Sequence, residues 1–474
     1  MQTHWIDNKA VASESSEAIA IINPANEQTL DTIPRGHRAD AERATASAIR
    51  AQPGWEALSP TERKNALKKI GVAMQAQLED LARLLTQENG KTLAQSRGEI
   101  NAAIDLLNSF AELGVHLRSG YEGAPAGELV FQHRQARGVA ACIVPWNYPI
   151  MTGIGNVIPN LVVGNTVVWK PSEKTPLSSR MLVERCFASL PPGVVNLLLG
   201  DGPNAGEPLV VHPAINVVAF IGSERTGRRI GETCGRMLKK CVLELGGKDP
   251  LIVDETVNIR AAARLAAEAT YTNAGQICTS TERLYVHRSV MDAFIAALVE
   301  ESRALRLGDG LEAGTQMGPL VDHLQLGKVE EQVKQAIGAG AQVHCGGGRL
   351  ERAGFFFPPT VMTGIRRDML LMEEETFGPI APVMPFDDFD EAIALANDCT
   401  YGLAAIVCTT SAPRAIKALQ SIQAGMIKIN TMRGRAPGST SEPFKASGIG
   451  HGYGVEMLYE LSIQKSVHWR GEPR

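Results

Sequence analysis

The residues able to do chemistry stand in three short stretches. Cys278 lies in "GQICTS", after a glycine and a glutamine. A thiolate is an intrinsically strong nucleophile and can split one difficult step into two easier ones through a covalent intermediate. As one of eight cysteines, it has the role of a small apolar filler as its alternative. Asn147 leaves the apolar run "GVAACIV" in "VPWNYP", between two prolines. A rigidly held amide N–H2 suits a developing oxyanion, and an Asn turn between prolines is the competing account. Glu244 in "LELGGKDP" sits inside an apolar run just before two glycines. Burying a carboxylate costs several kcal/mol unless it is partnered or protonated. Desolvation there favours a general base, and a structural ion pair is the alternative.

Two further stretches suit an anionic, sugar-bearing ligand. "FIGSERTG", Phe220 to Gly227, takes a strand through Gly222-Ser223 into a helix. The free N–H groups and positive dipole end of such a helix favour a pyrophosphate, although an ordinary turn between strand and helix looks the same. "KPSE", Lys170 to Glu173, puts a lysine and a carboxylate at another strand end. They suit a ribose diol; a surface ion pair is the other reading.

These residues must be positioned by strands. "GVAACIV", "NTVVWK", "GVVNLLL", "NVVAFIG" and "CVLEL" recur at intervals of roughly 25 residues with helix-compatible stretches between them, the rhythm of a doubly wound parallel sheet. Such a sheet binds ligands at the carboxyl ends of its strands. Before it, "SPTERKNALKKIGVAMQAQLEDLARLLTQENG" reads as helical, opening on a Ser59/Glu62 capping box and ending at Gly90. The "GKT" at 90–92 lacks the earlier glycine of a phosphate loop, since Leu85 stands there. After Cys278 a second α/β half is expected, with strands at "RLYVH", "FFFPPTVM", "PIAPVMPF", "AAIVCTT" and "GMIKIN" and helices over 291–305 and 387–397.

Composition narrows the partners. With 474 residues the chain holds two or three domains. A net charge of −4 argues against nucleic acid and membrane surfaces and for a small-molecule substrate. The cysteines form no CxxC pair and the histidines no HExxH, so reduced thiols in a cytoplasm and no metal are expected. Gly138 to Trp169 is uncharged, but Pro145, Pro149, Pro159 and four asparagines exclude a membrane helix.

Taken together, "PWNYP", "KPSE", the "GS" of 222–223, "ELGGK", "GQIC" and "EEETFGP" at 373–379 resemble the aldehyde dehydrogenase superfamily over nearly the whole chain. The resemblance implies nicotinamide-dependent oxidation of an aldehyde to a carboxylic acid through a covalent thioester. It implies Cys278 as nucleophile, Asn147 with the Cys278 N–H as oxyanion hole, and Glu244 as the base that activates water. Lys170 and Glu173 would hold the adenosine ribose, Ser223 the pyrophosphate and Glu375 the nicotinamide ribose, with Phe377 near the nicotinamide. Trp146, Ser172, Gly222 and Gly246 would also bind the cofactor. Glu173 near a 2′-hydroxyl favours NAD over NADP, because a carboxylate repels a 2′-phosphate. Glu244 favours hydrolysis over transfer to coenzyme A, since acylating members generally lack that glutamate.

The C-terminal motif departs from the family's pattern. This chain reads "EPFKASGIGHGYG" from Glu442 where two more glycines are usual. Phe444 matches the aromatic position of the substrate tunnel, and Tyr148 borders that tunnel together with Gly153 and Gly155. Arg433 and Arg435 offer a bidentate clamp for the far carboxylate of a semialdehyde, or form a solvated basic loop. The glycines suggest a wide tunnel for an aromatic or long aldehyde, so the substrate is read as either a semialdehyde or an aromatic or aliphatic aldehyde. The expected parts are an NAD-binding domain over 1–118 and 138–245, a catalytic domain over 246–443, and an oligomerisation element over 119–137 and 444–474 that builds a homo-oligomer. "GELVFQHRQA" and "LSIQKSVHWR" are expected to pair between subunits. An acyl-coenzyme-A-forming enzyme, a cofactor-free cysteine hydrolase and a catalytically silent binding protein are the alternatives.

Overall fold

In the computed structural model, which describes residues 1–433 and 438–471, the uncharged runs become strands covered on both faces. Val139–Ile143 and Thr166–Lys170 are buried at every position, as continuous apolar sequence requires of a parallel strand under two layers of helices. They lie at the centre of an eight-stranded sheet, ordered Lys9–Val11, His4–Ile6, Val195–Leu197, Thr166–Lys170, Val139–Ile143, Ile215–Ile221, Lys240–Glu244, Gly448–Ile449. The strands from Val195–Leu197 to Lys240–Glu244 run parallel. Their chain order reverses between Val139–Ile143 and Ile215–Ile221, so the crevice that receives ligands opens where those two strands end. There the chain enters "VPWNYP" and "GSERTG".

A second, seven-stranded sheet repeats this order. Ile380–Phe386, Thr281–His287, Asp249–Val253, Ala404–Cys408 and Met426–Ile429 are neighbours and parallel, with the reversal between Asp249–Val253 and Ala404–Cys408. Only Leu245 to Lys248 separate the two sheets along the chain. The carboxyl end of one sheet is thereby tied to the amino end of the other. Each sheet has its own apolar core, the second around Leu251, Leu284, Phe294 and Val383.

Local sequence explains the helices. Ser59 and Glu62 close the expected capping box, yet the predicted long helix is two, Pro60–Ala76 and Leu78–Asn89, separated at Gln77. Gly90 ends the second with φ +94°, a conformation that costs glycine nothing. "FFFPPTVM" is strand only over Thr360–Thr363, because Pro358 and Pro359 have no N–H to give a ladder.

The small element is built as follows within one chain. "GELVFQHRQA" and "LSIQKSVHWR" pair within one chain, Glu128–Ala136 antiparallel to Ser462–Arg470 in register from Ser462↔Ala136 to Arg470↔Glu128. Gly448–Ile449 joins the first sheet, and the helix Gly454–Glu460 packs on the helices Leu93–Val115 and Pro149–Val162. Among the described residues of the C-terminal tail, Ser462–Arg470 alone enters the three-stranded arm, where it is an edge strand.

Candidate active site

Cys278 stands on a turn between the helix Ile259–Tyr271 and the strand Thr281–His287. Asn273, Ala274 and Gly275 take left-handed backbone angles in succession, φ +53°, +55° and +75°. Such angles strain a non-glycine residue by about 1–3 kcal/mol each, so surrounding bonds must hold them. Buried Gln276 does so, giving its Nε2 to the Asn273 carbonyl at 3.1 Å and accepting the Val321 N–H at 2.9 Å. A Cβ on Gly275 would lie 2.2 Å from the Gly378 carbonyl oxygen, so only glycine fits. The Ser280 N–H then bonds the Ile277 carbonyl at 2.9 Å, leaving half-buried Cys278 on the turn. By contrast, burial pushes the thiols of Cys186 and Cys408 up to about 12, where they are inert.

Asn147 reaches this turn from the other sheet. Its side-chain N–H2 donates to the Gln276 carbonyl at 3.0 Å, and the residue is buried. Its own carbonyl accepts from Lys91 Nζ at 2.6 Å. Lys91 comes from the "GKT" rejected as a phosphate loop. It is 1% exposed, pairs with Glu99 at 2.5 Å and lies 3.8 Å over the Tyr148 ring. Glu99 in turn accepts the N–H groups of Ile150 and Met151 at 2.9 and 3.1 Å, at the start of the helix Pro149–Val162. Desolvation lowers the Lys91 pKa and Glu99 opposes that shift. Sequence reading missed Lys91 and Glu99, since a lysine between two helices gives no sign of being buried.

Glu244 ends its strand between Ile221 and Gly448 and is half-buried, not fully buried as expected. It lines a small recess together with Phe220, Leu403, Ser441, Pro443 and Tyr453. The two glycines after it are set by close approach: a Cβ on Gly246 would lie 2.9 Å from the Glu375 carboxylate, and one on Gly247 2.5 Å from the Cys278 carbonyl oxygen. Glu375 accepts the Gly247 N–H at 3.1 Å. Desolvation, with the charge of Glu282 added, pushes the Glu375 carboxyl up to about 7. Phe377 has φ +55° and is held by Glu282, which accepts the N–H groups of Thr376 and Phe377 at 2.6 and 2.7 Å. Buried Lys248 pairs with Glu282 at 2.6 Å. The Phe377 ring meets Trp146 edge-on at 5.4 Å, joining the segment after Val139–Ile143 of the first sheet to the one before Ile380–Phe386 of the second.

At the other end of the crevice, buried Lys170 lies 3.5 Å from the partly exposed Glu173 carboxylate. Ser172 is buried and accepts the Lys174 N–H at 3.3 Å. Gly222 bonds the Glu244 carbonyl at 3.1 Å, and exposed Ser223 starts the helix Glu224–Arg236 without capping it through its side chain. A Cβ on Gly227 would lie 2.3 Å from Leu245, so this helix packs tightly on the sheet. An uncapped helix start beside a carboxylate–lysine pair has the donor and acceptor set of a dinucleotide site.

The substrate-side expectations divide. Tyr148 is half-buried with Lys91 over its ring, and desolvation, then Glu99 and Cys278, raise its phenol pKa, placing it in the field of the thiol. Phe444 is 47% exposed and pairs with Gly402 in a two-stranded ladder, away from the recess that Glu244 lines. Ser441 and Pro443 line it instead. Gly153 does not widen a tunnel, because its missing Cβ makes room for Trp169 at 2.1 Å. The space at Gly155 is taken by Tyr453. Arg433 is exposed, and Arg435 lies outside the described residues. Among the described residues no cluster of three His, Cys, Asp or Glu could hold a metal, and no helix is long and apolar enough to cross a membrane.

Known proteins resemble this chain along its length. The chain is 35% identical to lactaldehyde dehydrogenase of Escherichia coli K12 over 473 residues, 98% of each chain. It is 36% identical to the succinate-semialdehyde dehydrogenase [NADP(+)] GabD of the same organism, covering 96% of this chain and 95% of that one. The crystal structure of betaine aldehyde dehydrogenase from Staphylococcus aureus in complex with NAD+ superposes with a TM-score of 0.97 at 32% identity, covering 100% of this chain and 96% of that one. The family model "Aldehyde dehydrogenase family" matches residues 10–467, and the chain belongs to that family.

Proposed function

We propose that this aldehyde dehydrogenase works through Cys278, Asn147 and Glu244 and prefers NAD. The carrying observation is the convergence of an amide from one sheet and a turn-borne cysteine from the other, joined at 3.0 Å through Gln276. The Cys278 thiolate adds to the aldehyde carbon, forming a C–S bond and an oxyanion. Asn147 and the Cys278 N–H donate to that oxygen, which carries charge only after addition. A bound nicotinamide supplies the hydride acceptor. Glu244 takes a proton from water as it attacks the resulting thioester, and the C–S bond breaks to return the thiolate.

Lys170, Ser172 and Glu173 hold the adenosine ribose, Gly222 and Ser223 the pyrophosphate, and Trp146, Gly246, Glu375 and Phe377 the nicotinamide end. The Glu173 carboxylate supports NAD over NADP. The predominantly apolar recess beside Glu244 supports an aliphatic or aromatic aldehyde. The semialdehyde reading draws on Arg433 and on the succinate-semialdehyde relative. Eight cysteines without a CxxC pair suit a reducing cytoplasm. The arm's open edge strand, with Ile463 and Trp469 exposed, suits a homo-oligomer.

The test is turnover of aliphatic, aromatic and carboxylate-bearing aldehydes with NAD or NADP and without coenzyme A, followed by absorbance of the reduced nicotinamide. Free acid with NAD is expected. Glu244→Gln is expected to give one burst and then stall, with the acyl group on Cys278 by mass spectrometry. Steady turnover by that variant removes Glu244 as the base, and product only with coenzyme A selects the acylating alternative.

A further inference from the structure

Tyr453 carries a backbone that tyrosine rarely adopts. Its φ of 65° and ψ of −176° belong to a region used almost only by glycine. It persists because its neighbours are clamped. Ser441 and Gly452 exchange backbone hydrogen bonds at 3.3 and 2.9 Å, and the Thr440 hydroxyl donates to the Tyr453 carbonyl at 3.2 Å. Gly454 follows at φ +69°, where a Cβ would lie 1.7 Å from Thr440 Oγ1. The outcome is the direction of the ring. It lies against Gly155, where a Cβ would meet Tyr453 Cε1 at 2.9 Å, and it forms part of the recess that Glu244 also lines. The rest of that lining is mostly apolar, including Phe220, Val242, Leu403 and Met457.

We infer that Tyr453 is a specificity-determining residue: its ring, seated on the bare backbone of Gly155, walls the recess beside Glu244 and limits the bulk of the aldehyde's apolar side chain. The inference rests on the reaction proposed above, because only there does the acyl group lie between Cys278 and Glu244. The C-terminal segment thus fills from one side the space that the glycine leaves on the other. A small or unbranched aldehyde fits with the wall in place, and a fused aromatic one does not.

The test compares kcat/KM for propanal and 2-naphthaldehyde in wild type, Tyr453→Gly and Tyr453→Phe. Glycine is native to this backbone, so Tyr453→Gly removes the ring without adding strain. The naphthaldehyde-to-propanal ratio should rise by at least about tenfold in Tyr453→Gly, the order expected when a pocket changes by a methylene or more. It should stay within about twofold in Tyr453→Phe, which keeps the wall. An unchanged ratio in Tyr453→Gly overturns the inference, as does an equal shift in Tyr453→Phe. A readout without turnover separates this from failure of the parent reading. Alkylation of Cys278, followed by peptide mass spectrometry, should speed up in Tyr453→Gly for iodoacetanilide relative to iodoacetamide. If no aldehyde is oxidised, the parent reading falls and the alkylation ratio still decides the wall: a shift supports it and none overturns it.

Discussion

The two large sheets share one strand order and present the proposed site residues from opposite ends. In the first, the reversal between Val139–Ile143 and Ile215–Ile221 opens at the carboxyl ends, where Asn147 and Ser223 follow those two strands and Lys170 ends the neighbouring Thr166–Lys170. In the second, the equivalent end is filled by the protein itself. Asp254, fully buried just after Asp249–Val253, accepts from the hydroxyls of Thr256 and Thr409 at 2.8 and 2.6 Å and is paired with Arg414. The residues that face the crevice come instead from its amino ends: Gly246 and Lys248 before Asp249–Val253, Cys278 before Thr281–His287, and Glu375 and Phe377 before Ile380–Phe386. A shared topology therefore does not say which end works. The short link Leu245 to Lys248 decides it, by fastening the carboxyl end of one sheet to the amino end of the next.

The contrast can be broken by damaging each end in turn. Cys278→Ala, at the working end of the second sheet, should lower kcat on the order of 10⁴-fold or more while cofactor binding persists; appreciable turnover in stopped-flow assays would count against it. At the working end of the first sheet, Lys91→Met strands the Glu99 carboxylate and should cost about 3–5 kcal/mol in urea unfolding. Asn147→Ala should lower kcat by about 10²–10³-fold, the loss of one oxyanion donor. At the filled end, Arg414→Met should cost only about 1–2 kcal/mol, because the arginine is partly exposed, and should leave kcat unchanged. A large loss of kcat there would mean that the second sheet's carboxyl end takes part after all.

The gentlest probe is pH. Glu375 keeps its proton in the folded chain up to about 7, against an ordinary 4.5. Between those values the folded state holds the additional proton, so stability of the cofactor-free protein should fall as pH rises. Glu88, pushed up to about 7 by burial, contributes in the same direction. Glu375→Gln should flatten part of the slope in unfolding titrations between about 4.5 and 7 and leave the share of Glu88.

What the sequence revealed depended on how local the cause was. Central parallel strands were legible because burial on both faces writes itself as an unbroken apolar run. The Ser59 cap was legible because its partner Glu62 is three residues away. Lys91 was not, because its partners, Glu99 and the Asn147 carbonyl, come together only when helices and sheet pack. The surroundings of Phe444 were not legible either, because its pairing with Gly402 on an exposed ladder joins segments some forty residues apart, while Ser441 and Pro443 face the recess. Tyr453 was invisible because nothing in the letters announces a positive φ at a tyrosine.

The arm has a thermodynamic consequence. Ser462–Arg470 is paired on one side only and carries Trp469 at 61% exposure, so alternate backbone groups along its outer edge have no ladder partner. Were a second copy to add its own edge there, it would bind the folded chain and not the unfolded one, so the unfolding midpoint would rise with protein concentration by mass action and dilution alone would become a denaturing condition.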